Sequence, residues 1–393
     1  MEKHSLTSSK NFFFIALASY GSGISGGDRI FIELAREWSK KYIINIYLWE
    51  EGYQMCKRQN LKSHNIKFLI SKMKTWSRLG FLVNYFARII EGLRVGISVK
   101  LDNNSKTIVY SASEFWMDSI PALLVKLRFS KIKWLAAWYQ TAPSPFSFGW
   151  SLPYWLAQQP IKPLISHFAD FVLVNNEEER REFPGLNKKN KVIVVLGGVG
   201  LKEIKKWKKK KRDLSKRYDA VFQGRFHPQK GVTELIDIWK KVVDKKPDAK
   251  LAMIGDGPLM ENVKSKIKNL KLEDNIKLFG YVFDGDTKYR IFSQSKIVVH
   301  PAFYDSGGMA SAEAMAFGVP AVGFDLESFK SYYPKGMIKV KTGDLDSFVV
   351  QVVRFLDNKK LRNKIGKEAM QMVQSSWSWD KRANKVLSYV KKD

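Results

Sequence analysis

The sequence predicts an α/β protein with two doubly wound parallel sheets, and three observations carry that expectation. Short apolar strand patterns alternate with amphipathic helical patterns in two separate series, the order expected when helices cover both faces of a parallel sheet. A glycine-containing turn follows the first strand of each series, at residues 21–27 and again from Gly224 to Gly231. A length of 393 residues is enough for two independent cores.

Residues 11–20 are apolar from Phe12 to Ala18 and follow Lys3 and Lys10, the outline of a signal-peptide core. The glycine turn and a helical pattern over residues 30–40 come directly after, so this segment reads as the first strand. Strand patterns recur at Ile43–Leu48, Thr107–Ser111, Lys133–Trp138 and Phe171–Val174. The run V-I-V-V-L-G-G-V-G closes the series, placing a boundary near residues 197–201. The second series has strands at Tyr218–Gln223, 250–254 and 276–279, with helices over 232–243 and 259–270 between them. The expected domains are residues 1–199, residues 200–376 and a terminal amphipathic helix within 377–393 anchored by Trp379.

Hydrophobic residues make up 45% of the chain, charges are mixed, and no apolar run approaches bilayer-spanning length, which together describe a soluble globular protein. The single cysteine, Cys56, excludes an internal disulfide framework and a multi-thiol metal site, and fits a reducing cytoplasm. The five histidines, at positions 4, 64, 167, 227 and 300, lack ligand spacing, so no metal is expected.

The net charge of +29 exceeds what solubility needs and calls for a polyanionic neighbour. Residues 57–100 hold ten Lys/Arg against Glu91, and residues 201–217 hold ten against Glu203 and Asp213. The second block, K-K-W-K-K-K-K-R-D, reads as solvated surface. In the first, Leu79, Leu82, Val83, Phe86, Ile90 and Leu93 recur at helical spacing, with Asn84, Arg88 and Glu91 on another face. With Arg78, Arg88 and Arg94 as a basic rim, this is the signature of a helix contacting an anionic membrane surface, the alternative being an ordinary helix packed on a sheet.

The segment H-P-A-F-Y-D-S-G-G-M-A-S-A-E-A-M-A-F-G-V-P carries the chemistry. A strand over residues 296–301 delivers Asp305 to a turn, Gly307 and Gly308 let backbone approach a ligand, and a helix over 311–317 ends at Gly318 before Pro320. Amides at such a helix start favour an anion such as a diphosphate. Asp305 and Glu313 stand eight positions apart on either side. Arg225 and Lys230, after the strand ending at Gly224, are placed to reach phosphate oxygens. The alternative for each is plain: a capped turn with a solvated helix glutamate, and two surface cations. D-G-D at residues 284–286 imitates a metal-binding acid pair but reads as a helix N-cap turn.

Taken in order, F-Q-G-R-F-H-P-Q-K-G, M-I-G-D-G-P, L-F-G-Y-V and the Asp305 to Glu313 segment resemble the motifs of the retaining glycosyltransferases of family 4, over about half the chain. That resemblance implies the GT-B fold, two Rossmann-like doubly wound parallel-sheet domains facing an interdomain cleft, with the terminal helix crossing back to the first domain. It implies transfer of a sugar from a nucleotide-sugar donor to a glycan or lipid-linked acceptor without a metal or other cofactor, on the cytoplasmic membrane face. Arg225 and Lys230 would then neutralise the leaving diphosphate. Asp305 would hold donor-sugar hydroxyls, Gly307, Gly308, Met309 and Ala310 would meet phosphate and sugar, and Glu313 would bind the ribose. Gly224 lies in the phosphate loop, Val282 would contact the base through its backbone, and Gly26 and Gly27 would approach the diphosphate.

Two positions depart from the family pattern. Asp305 is one methylene shorter than the usual Glu, and the first-domain histidine has no counterpart in W-L-A-A-W-Y-Q-T-A-P, where Tyr139 or Gln140 takes its place. A covalent intermediate would need a first-domain nucleophile such as Asp28, Glu114 or Asp118, whereas front-face attack needs none. A glycoside phosphorylase of the same fold is the alternative enzyme. A basic nucleic-acid or other polyanion binder is the alternative of another class, but no recognition module accompanies the charge, so no nucleic-acid partner is expected.

Overall fold

The computed structural model describes residues 11–21, 23–72, 80–103, 106–147, 149, 151–210 and 215–392. The chain forms two compact units, Met1–Leu196 with Arg382–Asp393, and Gly197–Lys381.

The first unit has seven strands: β1 (Asn11–Ile15), β2 (Ile43–Leu48), β3 (Ile66–Ile70), β4 (Thr107–Ser111), β5 (Lys133–Trp138), β6 (Phe171–Val174) and β7 (Val192–Val194). They form one parallel sheet in the order β3-β2-β1-β4-β5-β6-β7. Strand order reverses between β1 and β4, so their carboxyl ends flank a topological switch point. The Gly26–Trp38 helix starts there with a Ser25–Asp28 capping box. Its Trp38 ring lies 4.7 Å from Phe12 of β1, and Trp38 Nε1 donates to the Ala383 carbonyl at 3.1 Å. The terminal helix Trp379–Lys392 thus packs in this unit from residue 382 onward, with Lys385 Nζ donating to Val194 O at 2.8 Å.

The second unit has six strands: β8 (Tyr218–Gln223), β9 (Leu251–Ile254), β10 (Ile276–Leu278), β11 (Ser295–His300), β12 (Ala321–Phe324) and β13 (Met337–Val340). The sheet is parallel in the order β10-β9-β8-β11-β12-β13, with its switch point between β8 and β11. Trp239, Phe222, Met253, Val299 and Phe348 are buried together in its core. Trp379 is buried here against Gly198, where an added Cβ would lie 2.5 Å from the indole.

Strands β3, β12 and β13 escaped the sequence patterns. β3 is an edge strand inside a lysine-rich stretch, and β12 and β13 are four residues each.

The helix expected to contact a membrane keeps its apolar stripe exposed, but Arg88, expected on the basic rim, turns inward. It runs Phe81–Ser98, and Asn84, Arg88 and Glu91 are buried while Leu82, Val83, Phe86, Ile90 and Leu93 are exposed. The Arg88 guanidinium donates to the carbonyls of Leu17 and Ser19 and pairs with Glu51. Glu91 accepts from Tyr47, from Ser71 Oγ at 2.6 Å and from Arg94 Nε at 2.9 Å. The carbonyls at the end of β1 need donors, and one long arginine supplies them, so the helix turns its charges inward. Arg78 and Leu79 lie outside the described residues.

The carboxyl ends of this sheet also bury acids. Asp118 accepts from the Leu17 and Ala18 amides at 2.6 and 3.1 Å, and Glu179 from Thr141 N and Oγ1 at 2.8 and 2.6 Å. Glu114 accepts at longer range, from Tyr139 N at 3.4 Å and the Tyr154 hydroxyl at 3.3 Å. Burial pushes all three carboxyls up to about 7. In the folded chain they keep protons that the unfolded chain releases near its ordinary values of 3.8 and 4.5. Their contribution to stability is therefore complete below those values and is lost as pH rises through about 7. Glu114→Gln removes one ionisation, and thermal unfolding should show Tm raised by about 2–4 °C at pH 8 and unchanged at pH 4.

Candidate active site

The residues singled out in the second half of the sequence converge at the carboxyl ends of β8 and β11. Gly224 and Arg225 follow β8, and a short 3-10 turn, Pro228–Lys230, ends at Gly231. Gly231 has φ of 62°, and an added Cβ would lie 1.9 Å from the Pro301 carbonyl just beyond β11. The two loops are thus pressed together. The M-I-G-D-G-P loop after β9 closes the other side, since a Cβ on Gly255 would meet the Gly224 carbonyl at 1.8 Å.

Asp305 is the centre of this arrangement. Its Oδ2 meets Lys230 Nζ at 2.6 Å and His300 Nε2 at 2.9 Å, and its Oδ1 accepts from the Gly307 and Gly308 amides at 3.1 and 2.9 Å. Ser328 Oγ donates to its main-chain carbonyl at 2.6 Å. Burial works against ionisation, but the Lys230 ammonium and the His300 hydrogen bond outweigh it and hold the carboxyl far below the usual carboxylate range. The short acid thereby finds its reach within the loop: both carboxylate oxygens already have protein donors, and the side chain is 8% exposed.

His300 was absent from the sequence-derived site. Its Nδ1 shares a hydrogen bond of 2.8 Å with buried Ser311, so the imidazole bridges Asp305 to the Met309–Met315 helix. Gly308 precedes that helix with φ of 54°, and a Cβ there would strike the His300 ring at 2.6 Å. Met309 begins the helix two residues earlier than its sequence pattern suggests and lies against Gly197, while Ala310 follows in the first turn. Tyr333 donates to the Gly308 carbonyl at 2.6 Å, and Tyr332, whose ring a Cβ on Gly307 would meet at 2.2 Å, accepts from Gly197 N at 3.0 Å.

Glu313, on the same helix, pairs with Lys288 and accepts from Gln223 Nε2 at 3.4 Å. Lys288 is 3% exposed and also contacts Asp284 Oδ1 at 2.7 Å. Its signal was present as an Asp–Lys pair four residues apart in D-G-D-T-K. D-G-D stands at a helix N-cap turn as its pattern suggests, but no carboxylate makes the cap: Gly285 is the N-cap of the Asp286–Ser293 helix without a side-chain bond, and Asp286 accepts from Trp207 Nε1 at 2.8 Å and Arg290 at 2.5 Å. Helix start and basic side chains compete for these carboxylates, and the full positive charges win.

Arg225 is exposed, and among the described residues its side chain makes no hydrogen bond or ion pair. Burial, then the charges of Arg225 and Lys230, hold the neighbouring His227 imidazole below its usual value. The loop is therefore electropositive around one uncommitted guanidinium. Val282 is half-buried beyond β10, next to the Tyr281–Phe283 ring pair.

In the first unit, Gly26 and Gly27 open the Gly26–Trp38 helix, and a Cβ on Gly27 would meet the Tyr139 ring at 2.9 Å. Tyr139 is buried with its hydroxyl against that of Tyr110, and the Gln140 carbonyl accepts from Tyr154 and Gln158. Asp28 is held by Ser25 and by Ser19 Oγ at 2.7 Å. Asp28, Glu114 and Asp118 are all engaged inside this unit.

Residues 203–372 match the family model "Glycosyl transferases group 1". The matched segment lies within the second unit. It is 28% identical over 215 residues to an uncharacterized glycosyltransferase of Methanocaldococcus jannaschii, covering 51% of this chain and 54% of that one. It is 27% identical over 210 residues to the UDP-Gal:alpha-D-GlcNAc-diphosphoundecaprenol alpha-1,3-galactosyltransferase of Escherichia coli, covering 50% and 53%. The match thus spans about half the length of these curated relatives. The fold is that of S. aureus TarM, solved with fondaparinux, alpha-GlcNAc-glycerol and UDP, at a TM-score of 0.71 and 13% identity over 97% of this chain and 99% of that one. Both units are the Rossmann-like halves of a GT-B glycosyltransferase fold.

Lys288 offers a direct check of this site. Lys288→Met removes the buried cation that Glu313 and Asp284 share, and urea unfolding should show a loss of about 3 kcal/mol. Adding Glu313→Gln should recover part of that loss if the two residues are coupled.

Proposed function

We propose that this chain is a retaining, metal-independent glycosyltransferase that moves a sugar from a nucleotide-sugar donor to a glycan or lipid-linked acceptor. The observation that carries the proposal is the convergence of Arg225, Lys230, Asp305 and Glu313 on the β8–β11 switch point of a group 1 glycosyltransferase domain. UDP is the first nucleotide to test, because TarM was solved with it and the E. coli relative is named for a UDP-sugar.

In this reading Arg225 meets the diphosphate, and the ammonium of Lys230 keeps donors to spare beyond the one given to Asp305. The exocyclic bond from the anomeric carbon to the diphosphate oxygen breaks as the acceptor oxygen bonds to the same face of that carbon. The acceptor proton passes to the leaving phosphate oxygen, and the cations stabilise the charge that develops there. Asp305 takes the Gly307 and Gly308 amides and so orders the loop whose Met309 and Ala310 amides face the sugar and phosphate, and Glu313, aligned by Lys288, takes the ribose hydroxyls. Val282 offers backbone to the base. A lipid-linked acceptor would bring the enzyme to the cytoplasmic face of an anionic bilayer.

Arg225→Ala and Glu313→Gln should each reduce transfer from the preferred UDP-sugar by about 100-fold or more while leaving the circular dichroism spectrum unchanged. Full transfer in both variants would sink the assignment. Release of sugar 1-phosphate from disaccharides and inorganic phosphate would instead mark a phosphorylase. A panel of nucleotide sugars should raise Tm only for the cognate donor, by mass action on the folded state.

A further inference from the structure

We propose that the outer face of the Phe81–Ser98 helix is a docking surface for an anionic lipid bilayer, entered by Leu82, Phe86, Ile90, Leu93 and Ile97. Together with Val83 these side chains are 38% to 66% exposed. At about 100° per residue the six fall within an arc of about 100° that contains no other residue of the helix. A single polar-free ridge of leucine, isoleucine, valine and phenylalanine on a water-facing helix marks an interaction surface.

The ridge is not a core face that could turn inward. Arg88 and Glu91 point the opposite way, into partners from four other segments: Leu17 and Ser19, Tyr47, Glu51 and Ser71. Rotating the helix would strip those groups of their partners. Glycines on the adjoining side enforce the same orientation, because a Cβ on Gly92 would lie 2.8 Å from the Met117 carbonyl and one on Gly96 would lie 2.9 Å from Pro121 Cα. The helix is thus clamped with its apolar arc outward.

Charge selects the occupant. Lys72, Lys100, Lys106 and Lys131 are exposed around this region, and the Arg94 side chain is 59% exposed at the edge of the arc. Arg128 Nη1 donates to the Gly96 carbonyl at 2.7 Å, which places another cation at the helix end beside exposed Leu127. Among the described residues from 72 to 106 the only exposed carboxylate is that of Asp102. A second copy would bring like-charged rims together on chains of net charge +29, whereas anionic headgroups match the rim and acyl chains match the ridge. No helix among the described residues is long and apolar enough to cross a membrane, so this one lies in the interface plane.

The inference sharpens the bilayer placement proposed above, and its test reads lipid binding apart from transfer. The full chain is sedimented with vesicles of phosphatidylcholine alone and of phosphatidylcholine with phosphatidylglycerol, alongside Leu82→Ser/Phe86→Ser/Ile90→Ser. The wild type should bind the anionic vesicles more tightly, and the triple variant should bind them about tenfold or more weakly. Its Tm and its donor-induced Tm shift should stay unchanged, because all three side chains are exposed and none belongs to the unit that holds the β8–β11 site. Equal vesicle binding by both proteins would overturn the proposal. So would absence of wild-type binding, including the case where sedimentation velocity shows a self-association that the variant abolishes. Loss of transfer with lipid binding intact would count against the transferase reading alone.

Discussion

The Lys230–Asp305 ion pair is the contact on which the second unit's site depends. It joins the loop after β8 to the loop after β11, the two central strands, at the point where the sheet's winding reverses. A carboxylate so deeply buried is tolerated only when each oxygen finds donors. Here an ammonium, an imidazole and two backbone amides supply them, and each donor comes from a segment that must otherwise be held in place. The glycine turn, the start of the Met309–Met315 helix and the basic β8 loop are consequently ordered by one group. Arg225 is left as the uncommitted cation beside them.

The same physics shapes the first unit to a different end. Arg88 satisfies the carbonyls at the end of β1, and Glu91 collects hydroxyl donors from β2 and from Ser71. Those bonds decide which way the Phe81–Ser98 helix faces, so the apolar stripe is left for something other than the core. Buried polar groups act here as orientation devices: their need for partners is stronger than the preference of six apolar side chains for shelter.

Much of the fold was legible because parallel strands buried on both faces leave continuous apolar runs such as F-F-F-I and V-V-H-P, bounded by glycine turns. The edge and short strands were not, since four residues of A-V-G-F carry no periodicity. The motif residues were legible because close backbone approach demands glycine and anion contact demands arginine and lysine at fixed offsets. His300 was not, because its partners are five and eleven positions away, and the local Asp284–Lys288 pair gave no sign that Lys288 also meets Glu313, twenty-five positions on. Amphipathic spacing located the Phe81–Ser98 helix and its apolar stripe, but placed Arg88 on the rim when it is buried. Periodicity identifies two faces but is silent on which one the core accepts.

What the sequence determined by itself is the alternation that makes two parallel sheets, the glycine turns that start their helices, and the basic and acidic residues grouped around residues 224–231 and 305–313. These follow from local chemistry: pleat, helix period and the backbone freedom of glycine. Tertiary structure alone decided that Asp305 is spent on Lys230 and His300, that Glu313 is aligned by Lys288, and that Arg88 turns inward. Those outcomes rest on the cost of burying a charge, which is settled only when distant segments meet.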